Sequence, residues 1–124
     1  MNNKQNSPNN MDANPKKYRL QAHAHLKREL SMDDEQVINV LGTLSVPLKA
    51  SLQSVEKAYK EQDLKATATT AHSLKGALLN LGLDELAELA KTIEQTSATG
   101  ERVTHVKRLV YLQEALHHII REED

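Results

Sequence analysis

One stretch of the chain concentrates residue types able to carry a reactive group: Ala71-His72-Ser73-Leu74-Lys75-Gly76-Ala77-Leu78-Leu79-Asn80-Leu81-Gly82. Ala71, Leu74, Leu78 and Leu81 recur at helical spacing and define an inward stripe. On a helix turning about 100° per residue, His72 falls roughly 130° from the centre of that stripe, so its ring is expected in solvent. Lys75 and Gly76 follow at three and four positions, the spacings that share a helix face. Thr69 and Lys65 precede it on nearby faces. A neutral imidazole is a nucleophile, and imidazoles are largely neutral at neutral pH. An ammonium one turn away would steady negative charge arriving on the ring. Glycine inside a helix costs about 1 kcal/mol relative to alanine. Gly76 lies opposite the apolar stripe, so helix packing does not explain it, and something outside must approach the backbone there. Exposed histidine, cation and open backbone together suit a transient covalent phosphoryl carrier.

The elements that must position this segment read as helices throughout. Residues 1–16 are rich in Asn and nearly devoid of apolar side chains, so they are expected to be a disordered leader, with the folded unit at 17–124. A short first helix is expected from Lys17 to Leu30, on Tyr18, Leu20, Ala24, Leu26 and Leu30. Ser31 with Asp34 fits a capping box for a second helix. That helix carries Val37, Val40, Leu41, Leu44, Leu48, Leu52, Val55 and Tyr59 through Lys60, with a kink expected at Pro47. Asp63 caps the third helix, which holds His72 and closes at Gly82. Asp84 caps a fourth (Leu86, Leu89, Ala90, Ile93), which Gly100 ends. A fifth runs from Glu101 to about Glu122, with Val103, Val106, Leu109, Val110, Leu116, Ile119 and Ile120 inward. No alternating β-branched segment occurs. Short connections between long amphipathic helices imply an all-α fold: an antiparallel up-down four-helix bundle with a short extra N-terminal helix.

Composition agrees and removes several functional classes. The chain has 124 residues, the length of one domain. Its three aromatic residues are all tyrosines, so the core is built of Leu, Ile, Val and Ala, which suits interdigitating helices. The 16 basic and 17 acidic residues nearly balance, which argues against a general nucleic-acid binder. Without cysteine, thiol catalysis and thiolate metal sites are excluded. No apolar run approaches the ~20 residues of a membrane span, and no secretion signal is evident, so a cytoplasmic protein is expected.

The His72 segment resembles the motif of the histidine-containing phosphotransfer (HPt) family: His-x-Leu-Lys-Gly, with a second glycine ten positions after the histidine. Here these are His72, Leu74, Lys75, Gly76 and Gly82. Asn80-Leu81-Gly82 also resembles the family's close to this helix, and the likeness extends over about residues 32–120. One departure is the absence of the phenylalanine common in the family's long second helix, a volume that Leu44 or Leu48 would fill. The resemblance implies that His72 accepts a phosphoryl group on Nε2. It also implies that Lys75 steadies the phosphoryl oxygens, that Gly76 clears space for the group and a docking receiver domain, and that Gly82 only shapes the helix end.

In-line transfer from an aspartyl phosphate needs the acceptor nitrogen held near phosphorus and the equatorial charge countered. The chain shows no carboxylate cluster suited to Mg²⁺, so no metal or cofactor of its own is expected, and the receiver partner would bring the Mg²⁺. It has no nucleotide motif, so it is expected to be a stoichiometric carrier without autokinase activity. The expected partners are response-regulator receiver domains and a hybrid sensor histidine kinase, met by a monomer. The competing expectation is an HPt-like docking module that binds a partner without transfer. A third, histidine-based metal binding, is weak. His23 and His25 point to different faces, as do His117, beside the core stripe, and His118, near the solvent side. Glu94 reads as a surface or capping partner.

Overall fold

The computed structural model of the chain describes residues 14–100 and 104–120. The described residues form five α-helices and no strand: α1 (Lys17–Leu30), α2 (Asp34–Lys60), α3 (Leu64–Asn80), α4 (Asp84–Ala98) and α5 (Val106–Ile120). The leader to residue 13, and the expected helical residues 101–103 and 121–122, lie outside the described part. No helix among the described residues is long and apolar enough to cross a membrane.

Helix α3 packs between α2 and α4, α5 packs on α2 and α4, and α1 lies against α2 and α5. One core joins them. Leu41, Leu48, Leu52 and Val55 of α2 meet Ala71, Leu74 and Leu78 of α3, Leu86, Leu89 and Ile93 of α4, and Leu109, Leu112, Leu116 and Ile119 of α5. Leu48 is fully in this core and Leu44 packs at its margin. Pro47 lies within α2 without ending it. Its position on the exposed side lets the missing donor fall where water reaches the backbone.

The boundaries differ from expectation at two caps. Ser31 does not cap α2. It takes a left-handed conformation (φ 55°) that closes α1. Asp33 caps α2 instead: its Oδ1 accepts from the Gln36 amide at 2.8 Å, while Gln36 Oε1 accepts from the Asp33 amide at 2.9 Å. The Asp33-x-x-Gln36 pair satisfies two otherwise free donors reciprocally. Asp84 likewise is not a cap. Leu83 holds that position with no side-chain bond, and Asp84 and Glu85 occupy the first turn, where acids favour the helix dipole. Asp63 does cap α3, accepting from the Ala66 amide at 3.0 Å.

Two stripes also shift. In α1 the buried row is Tyr18, Ala22 and Leu26, while Leu20 and Leu30 are exposed and Ala24 faces solvent. The Tyr18 hydroxyl donates to Glu85 Oε1 at 2.8 Å and lies 3.2 Å from the Tyr111 hydroxyl. Burial, and then these bonds, push its phenol above the usual tyrosine range, so it stays neutral and ties α1 to α4 and α5. In α5 the buried row is Leu109, Leu112, Ala115, Leu116 and Ile119, flanked by Tyr111. Val106 and Val110 are exposed, because they lie roughly 120° and 160° from Leu112 on the wheel. For the same reason His117 is exposed and His118 half-buried, the reverse of the expected order.

Candidate phosphoryl-acceptor site

Helix α3 presents His72 on its outer face while Ala71 and Leu74, its neighbours in the helix, are sealed in the core. The His72 side chain keeps 66% of its surface in solvent. The ring is therefore mounted on a rigid rod yet open to an incoming partner. Gly76, one turn on, is free of internal constraint: a Cβ added there would meet nothing within 4 Å. The helix thus carries an avoidable glycine in which packing plays no part.

The ring is gripped from one side. His72 Nδ1 stands 2.9 Å from Glu94 Oε2 on α4. A carboxylate can only accept, so Nδ1 carries the proton, and in the neutral ring the lone pair is on Nε2. The other carboxylate oxygen, Oε1, is buried from water and has Lys75 Nζ at 2.9 Å, outside hydrogen-bond geometry, so the contact is an ion pair. Lys75 and Glu94 are each only 23% exposed. Partial burial opposes ionisation of Glu94, but Lys75 and then His72 outweigh it and hold the carboxyl below its ordinary range. Glu94 is thus ionised at neutral pH.

The structure brings His72, Lys75 and Gly76 to one face, with Lys75 turned to Glu94. Gly82 stands apart at the end of α3 with φ +74°. It does more than shape that end, because a Cβ there would overlap the His25 ring of α1. His23 is engaged at Asp34 Oδ1 (3.0 Å), which Lys27 also reaches at 2.9 Å. Among the described residues no group of three or more His, Cys, Asp or Glu could hold a metal ion.

Sequence reasoning assigned one residue too small a part and passed over another. Glu94 joins the site rather than merely the surface; the signal available was its place on the inner edge of α4, one residue after buried Ile93. His105, not singled out at all, is 2% exposed. Its Nε2 lies 3.0 Å from Thr96 Oγ1, its backbone amide donates to the Tyr59 hydroxyl at 3.0 Å, and Arg108 Nη1 lies 3.3 Å from its Nδ1. It fastens the start of α5 to α4 and α2.

The sequence profile of the Hpt domain matches residues 39–122, a span that holds the whole His72 site. The chain belongs to the Hpt domain family, the phosphohistidine-carrying helical modules of two-component signalling. The match begins inside α2, so α1 lies outside it. No curated protein and no solved structure matched the chain.

Proposed function

We propose that the chain is a phosphorelay intermediate that shuttles a phosphoryl group through phospho-His72, to or from receiver-domain aspartates. The observation that carries this reading is the asymmetry of the His72 ring: Nδ1 is tied to Glu94 while most of the side chain stands in solvent. Nε2 attacks phosphorus as the bond to the aspartyl oxygen breaks, and the aspartate leaves as a carboxylate. Lys75 has three N–H donors, so its pairing with Glu94 leaves others for the phosphoryl oxygens. Gly76 leaves room for the group and for the receiver.

In this reading the chain is a carrier rather than an enzyme, has no autokinase activity, and relies on the receiver for Mg²⁺. It acts in the cytoplasm as a monomer between a hybrid sensor histidine kinase and response regulators. The architecture it uses is the up-down ring of α2, α3, α4 and α5, with α1 as an added N-terminal brace.

The test is incubation with a phosphorylated receiver domain. Transfer predicts an acid-labile, alkali-stable label on the chain, which is lost in His72→Gln. A protein that binds the receiver tightly but stays unlabelled would overturn the reading in favour of a docking module.

A further inference from the structure

Helices α2 and α5 each present a row of side chains to the seam between them. On α5 the row is Val106, Val110, Gln113, His117 and Ile120; on α2 it is Lys49, Gln53, Glu56 and Lys60. Both rows step by four, three and four residues, the spacing that keeps side chains on one helix face and lets a further helix lie along them. Between the rows lies a cavity of about 300 Å³. Its apolar lining is Leu52, Leu116 and Ile120, and its polar lining comes from both rows. Val106 and Val110 carry the α5 row onward with 55% and 46% of their surface exposed. Among the described residues Lys49, Glu56 and Lys60 form no ion pair and no side-chain hydrogen bond. Partial burial opposes the charge of Glu56, and Lys60 only partly offsets this, so a cation brought to the seam would relieve it. His72 sits on α3 against Glu94 of α4, and α3 does not pack on α5.

We propose that the α2–α5 seam is a docking groove for one amphipathic helix of another protein, apart from the face that carries His72. The apolar stripe of that helix covers Leu52, Leu116, Ile120 and the two valines, and its polar edge lies along α2. Charge complementarity fixes the edge. Opposite Lys60, Glu56 and Lys49 it must place acid, base and acid, with the second and third four and eleven positions from the first. Running antiparallel to α2, the partner then carries its acid four positions before its base, the order that also stabilises a helix. A second copy of this chain matches less well, because pairing the α2 row about its own centre sets lysine against lysine. A helix seated here leaves His72 open, so in the phosphotransfer reading one protein can hold the carrier while another meets its ring. The docking itself does not depend on that reading.

The probe is a synthetic helix of about 18 residues, five turns, with leucines spaced by threes and fours and Glu, Lys and Glu at the positions just given. Binding to the full chain is read by fluorescence anisotropy, and its place by ¹H–¹⁵N NMR shifts. The expected result is saturable one-to-one binding, with shifts along the α2–α5 seam and none at His72. A peptide with all three charges reversed should bind at least about tenfold more weakly. The triple variant Lys49→Glu, Glu56→Lys and Lys60→Glu should exchange the two preferences. Val110→Asp, a change at an exposed position, should weaken binding of the first peptide by more than about tenfold, since docking would bury an unpaired charge. Equal binding of the two peptides by the wild-type chain, saturable binding of neither, or shifts centred elsewhere would overturn the proposal. So would seam shifts that grow with protein concentration in the absence of peptide, which would mark a second copy as the occupant. Each of these results leaves the labelling of His72 by a receiver untouched, and loss of that labelling alone would overturn only the phosphotransfer reading.

Discussion

The His25 ring of α1 lies so close over Gly82 that no Cβ could stand between them. Helix α1 thus meets the turn that follows α3, and the glycine serves both its own left-handed conformation and the seat of α1.

From this contact follows a stability prediction. Gly82→Ala forces a side chain into a left-handed backbone (φ +74°) and against the imidazole. Together these should cost roughly 2–4 kcal/mol, measured by denaturant unfolding. Adding His25→Ala should recover the part due to overlap and leave the backbone part. A Gly82→Ala protein as stable as wild type would refute the close seat.

His105 predicts how stability depends on acidity. Burial, and then the Arg108 guanidinium, hold its imidazole below the ordinary value. A depressed histidine is neutral in the fold but takes a proton on unfolding, so its contribution is intact above about pH 6.5 and is lost as pH falls below it. Unfolding free energy should decline from neutral pH toward mild acid, and His105→Gln should flatten that decline. Equal slopes for the two proteins would show that His105 is not the titrating group.

Gly76 separates function from folding. Because nothing lies within 4 Å of an added Cβ, Gly76→Gln should melt within about 1 kcal/mol of wild type, with the better helix former offsetting any loss. Transfer from a phosphorylated receiver should slow at least about tenfold, since a long side chain now fills the approach beside His72 and small misplacements of reacting atoms are costly. Unchanged transfer rates would remove the glycine from the account.

What could be read from the sequence divides along the range of the interactions. The placement of His72, Lys75 and Gly76 needs only the turn angle of one helix and the position of its leucines, so the wheel sufficed. Glu94 is separated from His72 by 22 positions, and their meeting depends on how α3 and α4 are set against one another, which no periodicity encodes. His105 sits just before α5, where there is no repeat to reveal which side chain turns inward. In α1 a short polar helix offered several apolar rows; the buried one, Tyr18-Ala22-Leu26, joins the core and also lets the Tyr18 hydroxyl reach Glu85 and Tyr111, partners distant in sequence that no local periodicity shows. The Ser31 cap lost to Asp33 because closing α1 required Ser31 for the turn.

The most direct test of the central claim is to locate the phosphorus atom. The chain is labelled with ¹⁵N-histidine, loaded by a phosphorylated receiver and kept alkaline, and the ³¹P–¹⁵N one-bond coupling is then observed. The account predicts a single coupled nitrogen, Nε2 of His72, with Nδ1 still facing Glu94. Phosphorus on Nδ1, on any other of the histidines, or on no nitrogen at all would contradict it.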